Sequence, residues 1–283
     1  MDWLTRMNRV IDYIDENLDG AIDYDSIASL ACCPTYQFAK MFSVVTDISL
    51  SEYIRRRRLT RAALELQTSD IKVIDLGLKY GYDSPTAFNR AFQNMHGLAP
   101  SAARKKGVFL KSYPRITFQF SIKGDEEMKY RIEEKAAFRA VGFKQKMSIV
   151  NGENLDRIPK MWANLPEADY GKLCAAGNGE PKGLLGICAN FNGEEFDYYI
   201  ACATTSAVPE EMSSLEIPKA TWAIFESVGP LPDAIQNLTK RIFSEWLPSS
   251  GYEQDDVPQF EVFPAGDIHS ADYVCEVWFP IRK

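Results

Sequence analysis

The chain has 283 residues, 46% hydrophobic and 25% charged, with a formal net charge of −7. This length favours two domains, and the ordinary composition argues against a disordered chain. The N-terminus lacks the apolar core of a signal peptide, and no apolar run approaches the roughly 20 residues of a membrane helix. We therefore expect a cytoplasmic protein without membrane contact.

Cysteine and histidine usage argues against metal sites and disulfides. The six cysteines are scattered without a Cys-x-x-Cys pair, and His96 and His269 are the only histidines. Neither a metal ligand set nor a disulfide framework is expected from this pattern, and no cofactor is predicted.

The charge is divided unevenly between the two halves. Residues 1–111 carry 15 Lys and Arg against 13 Asp and Glu, a net charge of +2, which leaves −9 for residues 112–283. Charge tallied by domain therefore permits a nucleic-acid contact in the N-terminal half that the total charge of −7 obscures.

The N-terminal half shows helical periodicity followed by a repeat of the same pattern. Predicted helices cover 3–18, a short stretch to residue 30 capped by Asp23 or Asp25, 34–45, 50–67, 71–80, and a stretch that begins at Ser84-Pro85. Residues 34–43 align with 84–93. The alignment pairs Phe38 with Phe88, Phe42 with Phe92, and Lys40 with Arg90. Two equivalent short helices suit two successive major grooves, which lie about 34 Å apart on one face of a duplex.

Several motifs in residues 23–104 resemble the DNA-binding domain of AraC/XylS-type regulators. They are Ile27-Ala28, Met41-Phe42, Tyr53-Ile54, Arg58-Leu59-Thr60-Arg61-Ala62, Gly81-Tyr82-Asp83-Ser84, Phe88-Asn89-Arg90-Ala91-Phe92 and Gly97-Leu98-Ala99-Pro100. One departure is Cys32, which stands where the family usually has glycine in the first turn. The resemblance implies an all-α, double helix-turn-helix domain that binds double-stranded DNA.

The resemblance also implies which side chains face the DNA. The candidates are Thr35, Tyr36 and Lys40 in the first unit and Thr86, Asn89 and Arg90 in the second. Arginine suits guanine and asparagine suits adenine. Arg55 and Arg57 are candidates for phosphate contact, although five arginines on one helix cannot all face one groove. A solvated helix face remains the alternative for each polar residue.

The C-terminal half changes to strand-like alternation, which begins near residues 116–122. Further strands are predicted at 128–134, 137–147, 183–189 and 196–203 with a helix at 152–165. A shortened second copy has strands at 219–227, 258–263 and 272–279 with a helix at 231–246. We therefore predict a DNA-binding domain at 1–107, a linker and entry strand at 108–126, and a duplicated α+β domain at 127–283.

The C-terminal half resembles the GyrI-like effector-binding domain of multidrug-sensing regulators. Phe260-Glu261-Val262-Phe263 and the terminal stretch from Tyr273 to Ile281 carry the resemblance. It implies Glu276 as the leading ligand residue, because alternation on a strand places it beside Trp278. The other candidates are Glu261, Trp222 and Tyr198. A carboxylate beside aromatic rings suits an aromatic or cationic effector.

Together these features predict a sequence-specific transcription regulator, not an enzyme, with activation favoured and RNA polymerase as a further candidate partner. Two alternatives stay open. In the first, the second domain is a small-molecule hydrolase with Glu276 as general base. In the second, it is a protein-interaction module.

Overall fold

The computed structural model describes residues 3–105, 107–119 and 127–283. These residues form two compact units. The first contains the chain up to Thr35 and again from Ile48 to Gln119, and the second contains Tyr36–Asp47 and the described residues from 127 onward. The predicted entry strand at 116–122 is not a strand up to residue 119, and its remainder lies outside the described residues.

Helices account for the regular structure between residues 3 and 103. They are α1 (Trp3–Glu16), α2 (Tyr24–Ala31), α3 (Thr35–Thr46), α4 (Leu50–Thr68), α5 (Val73–Lys79), α6 (Pro85–His96) and α7 (Pro100–Ala103). The apolar spacing that predicted α1 is confirmed, since Met7, Val10, Ile11 and Ile14 are all buried. The predicted caps Asp23 and Ser84 are confirmed as well, whereas Ser69 or Asp70, expected to cap the helix over 71–80, does not cap α5, which begins after Lys72 without a side-chain cap. Asp23 accepts from the amides of Asp25 and Ser26, and Ser84 accepts from the amide of Ala87.

The turns that precede α3 and α6 have the same backbone geometry despite different residues. In the first turn, Cys32 has φ 56°, and the amides of Cys32 and Cys33 donate to the carbonyls of Ser29 and Ala28. In the second, Gly81 has φ 78° and the equivalent bonds are made by the amides of Gly81 and Tyr82. Cys32 therefore occupies a left-handed conformation that normally favours glycine.

The second unit is built on an antiparallel sheet. Its strands are β1 (Tyr130–Lys135), β2 (Phe138–Ser148), β3 (Leu184–Asn192), β4 (Glu195–Thr204), β5 (Ser213–Ile217), β6 (Ala220–Val228), β7 (Glu253–Gln254), β8 (Phe260–Phe263) and β9 (Val274–Arg282). Its C-terminal helices are α8 (Glu153–Ala163), α9 (Glu167–Ala176), α10 (Asp233–Arg241) and α11 (Leu247–Ser250), with a π-helical turn at Ile242–Trp246. The prediction missed α9, β5 and β7.

The strand order reveals the predicted duplication. The order is β1-β6-β9-β8-β3-β4-β2-β5, with β7 paired to β9. The first copy consists of β1, β2, β3 and β4, and the second copy consists of β5, β6, β8 and β9. When each strand is replaced by its counterpart in the other copy, the same strand order is obtained, read from the opposite edge. The two copies meet where β3 pairs with β8, and each copy contributes its first strand to the other copy's edge. The sheet is thus a two-fold pseudosymmetric α+β unit.

One face of the sheet carries its own apolar core. Alternation along the strands directs Trp222, Phe260 and Trp278 to this face, where they pack at ring-centroid distances of 4.9 to 6.0 Å. None of the helices in the described part of the chain combines the length and the apolar character needed to cross a membrane.

Candidate DNA-facing helices and effector site

Helix α6 presents its predicted DNA-facing side to solvent. Thr86, Asn89 and Arg90 are all exposed, whereas Phe88 and Phe92 on the opposite side are fully buried. The helix begins at a proline behind a serine N-cap, so its first turn is fixed. A rigid helix with exposed guanidinium and amide groups is suited to reading base edges.

The corresponding side chains of α3 are engaged within the second unit. The ring of Tyr36 stacks on Phe191 with centroids 4.4 Å apart and planes 13° apart, and its hydroxyl donates to the carboxylate of Asp256. Lys40 donates to the amide oxygen of Gln259 at 3.2 Å. Thr35, in the first unit, donates to the carbonyl of Tyr24 at 2.8 Å.

The two arginines proposed for phosphate contact have intramolecular partners. Arg57 makes a paired interaction with Asp15 at 2.7 and 2.8 Å and donates to the carbonyl of Tyr113. Only 9% of its side chain is exposed, so the structure assigns Arg57 to the interior and not to DNA. Arg55 pairs with Glu52 but keeps 42% of its side chain exposed, and it therefore remains a candidate.

Glu276 and Trp278 lie side by side on β9, as the alternation predicted. They line an open cavity of about 1080 Å³ together with Arg131. Both carboxylate oxygens of Glu276 are occupied. Oε1 accepts from Arg131 at 2.7 Å, and Oε2 accepts from the indole of Trp278 at 2.8 Å. The negative charge of this residue is therefore already compensated.

Trp222 does not line the cavity beside Glu276. It is completely buried and packs against Phe260 and Trp278. The structure thus gives it a core-packing role, which corrects the expectation that it contacts ligand.

Glu261 and Tyr198 meet on the other face of the sheet. An added Cβ at Gly186 would lie 2.4 Å from Tyr198 Oη and 2.8 Å from Glu261 Oε2, so the absence of a side chain there allows both groups to approach the same point of β3. Trp162 of α8 donates from its indole nitrogen to Tyr198 Oη at 2.9 Å and packs edge-on against Phe263 at 5.0 Å. A carboxylate, a phenol and two further rings converge there.

Burial governs the protonation of this cluster. It raises the pKa of Glu261 to about 7, against the opposing effect of the positive charge on Lys40. It also raises the pKa of Cys188 to about 11 and that of Tyr198 well above its usual value. The thiol and the phenol therefore remain neutral near neutrality, where Glu261 changes charge.

The sequence ranked Glu276 above Glu261 and did not make Gly186 or Phe263 candidates for the ligand site. The sequence showed where Glu276 lies along its strand. It did not show that Arg131 binds the Glu276 carboxylate and would compete with a ligand for it. Within the described residues, no group of three or more His, Cys, Asp or Glu side chains is arranged to hold a metal ion.

Comparison with known proteins explains this architecture. Residues 128–282, more than half of the chain, match the model of the GyrI-like small molecule binding domain. The chain belongs to the GyrI-like family. Residues 27–106 of this GyrI-like protein match a helix-turn-helix domain model.

Two curated relatives of the GyrI-like protein are named as regulators. The transcriptional activator AarP of Providencia stuartii is 36% identical over 98 residues, which cover 35% of this chain and 73% of AarP. The regulatory protein SoxS of Salmonella typhimurium is 35% identical over 97 residues, which cover 34% of this chain and 91% of SoxS. The GyrI-like protein is therefore an AraC-type, DNA-binding transcription regulator controlled by a small-molecule effector.

A solved structure, that of SAV2435 bound to tetraphenylphosphonium, supports the fold of the second unit. It is 23% identical, with a TM-score of 0.50, and the match covers 55% of the GyrI-like protein and 94% of SAV2435. At this identity the likeness concerns the fold.

Proposed function

We propose that the effector of this regulator is a lipophilic aromatic cation held by Glu261, Tyr198 and Trp162. One observation carries the proposal: Glu261 lies in an aromatic cluster, and no described side chain forms a hydrogen bond or ion pair with its carboxylate. Lys40 acts on this carboxyl only from beyond ion-pair distance, so a bound cation would supply a directly contacting opposite charge, and the neighbouring rings would attract it through their faces.

Glu276 is the weaker candidate, although the cavity of about 1080 Å³ lies beside it. A ligand cation would have to displace Arg131 and the Trp278 indole from its carboxylate. That displacement would offset the gain from the new ion pair. SAV2435 binds tetraphenylphosphonium, which makes this cation a reasonable probe of the same chemical class here.

Calorimetric titration with tetraphenylphosphonium tests the proposal. We expect Glu261→Gln to weaken binding at least tenfold, because the amide keeps the size of the side chain but removes its charge. The matched control, Glu276→Gln, should bind like the original protein. Binding that is lost in Glu276→Gln and kept in Glu261→Gln would move the effector to the other face of the sheet.

For the DNA, we propose that α6 reads bases through Thr86, Asn89 and Arg90, and that α3 adds Thr35, Tyr36 and Lys40 in a neighbouring groove. The duplicated helices and the exposed polar side of α6 support this arrangement. Selection of bound sequences from a random DNA pool tests it. A selected site that spans a single groove, with effector present, would remove α3 from the interface.

We further propose that the output is activation through contact with RNA polymerase, which fits the activator AarP among the relatives. An in vitro transcription assay on a selected site tests this output, with and without tetraphenylphosphonium. The cytoplasmic location stays a prediction, since a regulator must share a compartment with its DNA.

The hydrolase alternative gains no support from Glu276. Both oxygens of Glu276 accept hydrogen bonds, from Arg131 and from the Trp278 indole, and these donors would compete with a substrate for the carboxylate. We expect no turnover when the protein is incubated with reactive esters or epoxides. Turnover that disappears in Glu276→Gln or Glu261→Gln would establish catalysis instead.

A further inference from the structure

The two aligned helices differ in exposure along the side that would face DNA. At three aligned positions the residue is exposed in α6 and buried in α3. The pairs are Ala87 with Gln37, Asn89 with Ala39, and Gln93 with Ser43. The α3 members are only 4%, 3% and 6% exposed. Two helices that arose by duplication and both bind DNA would be expected to be equally exposed. The DNA-facing side of α3 is instead covered, whereas that of α6 is open to solvent.

Two parts of the second unit contact α3: the ring of Phe191 and the short segment that precedes β8. Phe191 is held between two rings, stacking on Tyr36 at 4.4 Å and on Phe196 at 4.9 Å. It follows Asn190, whose φ of 53° marks the bulge that presents the ring. This triple stack is a specific contact because its rings are nearly parallel.

Polar contacts add to the stack. Asp256 accepts from the Tyr36 hydroxyl, the carbonyl of Asp255 accepts from Gln37 at 2.9 Å, and Gln259 accepts from Lys40 at 3.2 Å. An acidic surface thus binds the hydroxyl and ammonium groups that would otherwise face an anionic duplex. One side chain cannot make both sets of contacts at once.

This surface lies next to the proposed effector site. Gln259 is two residues before Glu261, and the positive charge of Lys40 acts on the Glu261 carboxyl. Lys40 is also 6.0 Å from the centre of the Phe191 ring. A cation bound at Glu261 would compete with Lys40 for the same negative charge and would repel it.

We propose that the second unit binds α3 by its DNA-facing side through Phe191, Asp256 and Gln259, and that a cationic effector at Glu261 weakens this hold. Released α3 then joins α6 in binding DNA. The effector step rests on the proposed function, whereas the masking of α3 stands on the contacts themselves. The effector shifts the equilibrium because it binds the released form better.

The test measures affinity for a selected duplex by fluorescence anisotropy, with the full chain and no effector. Asp256→Ala and Phe191→Ala alter the masking surface and leave the residues of both helices unchanged. We expect each to tighten DNA binding by about fivefold or more, within the usual range of coupling between sites, and to shrink the further gain from tetraphenylphosphonium. Glu210→Ala, which removes an exposed carboxylate elsewhere in the second unit, is the charge-matched control.

Amide hydrogen exchange over residues 36–47 gives a second readout that needs neither DNA nor effector. Both variants should speed exchange in this segment, while Glu210→Ala should not. Asp256→Ala changes one exposed side chain, so it keeps the test valid if Phe191→Ala folds poorly. Unchanged exchange and unchanged effector-free DNA affinity in Asp256→Ala would overturn the masking. Failure of the unaltered protein to bind tetraphenylphosphonium would instead refute the effector assignment alone.

Discussion

Glu261 and Glu276 lie on adjacent strands, yet their side chains project from opposite faces of the sheet. The register pairs Val262 with Glu276, so the residue before Val262 points the other way. Glu276 is neutralised by Arg131, whereas Glu261 is held in an aromatic cluster with a raised pKa. The two carboxylates therefore cannot serve one ligand, and the difference between them can be measured.

Effector binding should depend on pH through Glu261. Its pKa of about 7 means that the carboxyl is mostly protonated at pH 6 and mostly charged at pH 8. Tetraphenylphosphonium has a fixed charge, so its affinity should rise about tenfold over this interval. Cys188 and Tyr198 remain neutral throughout, and Lys40 is the opposing positive charge.

The same shift has the opposite effect on stability. The folded protein binds the Glu261 proton more tightly than the unfolded chain does, so this contribution to the free energy of unfolding is lost as the pH rises through 7. In Glu261→Gln, neither the affinity for tetraphenylphosphonium nor the free energy of unfolding should show this pH dependence. A pH-dependent affinity that persists in this variant would assign the dependence to another group.

Arg90→Ala should weaken binding to the selected duplex by about 1 to 3 kcal/mol and relax the preference at one base pair, as expected for a lost bidentate contact. Anisotropy titrations against single-base variants of the site measure both effects. Arg9→Ala removes another exposed arginine, from α1, and should leave base preference intact. An unaltered preference in Arg90→Ala would show that the guanidinium does not read a base.

Arg57→Ala should destabilise the first unit, because it leaves Asp15 without its partner in a largely buried site. We expect a loss of about 3 kcal/mol, the lower end for a broken buried pair. Arg55→Ala removes a more exposed pair with Glu52 and should cost less than about 1 kcal/mol. Urea unfolding followed by circular dichroism compares the two, and equal losses would contradict the assignment of Arg57 to the interior.

Cys32→Gly should stabilise the turn before α3 by about 1 kcal/mol, because glycine adopts its left-handed conformation without the steric cost of a Cβ. Gly81→Ala should do the reverse in the second turn. There an added Cβ would lie 2.7 Å from Arg58 Nη1. Melting temperatures of the two variants give the signs directly, and a destabilising Cys32→Gly would disprove the strain.

The sequence predicted most of the fold because its signals are local. Apolar spacing located α1, and cap residues located the starts of α2 and α6. The strands β2, β4, β6 and β9 followed from alternation. Helix α9 was missed, and β7, with two residues, is too short to show a period. The geometry of the turn at Cys32 was predicted less clearly, because the glycine that usually marks this turn is replaced by cysteine.

The sites were less predictable because they depend on partners distant in sequence. The sequence showed that Glu276 and Trp278 share a face, but Arg131, 145 residues away, decides whether that carboxylate is available. Likewise, the sequence made Arg57 a candidate for phosphate contact because its ion pair with Asp15, 42 residues away, could not be foreseen. Phe191 carried no recognisable signal, since a lone aromatic residue near a strand end is common.

The exposed side of α6 has a kinetic consequence. A chain that keeps one DNA-binding helix accessible can associate loosely with a duplex and search along it while the other helix is withheld. Engagement of α3 is then an intramolecular step, governed by a high local concentration and not by the amount of protein in the cell. Such tethering can raise overall affinity by about 10² to 10⁴ without any further contact, so a small change in the availability of α3 would be amplified into a large change in promoter occupancy.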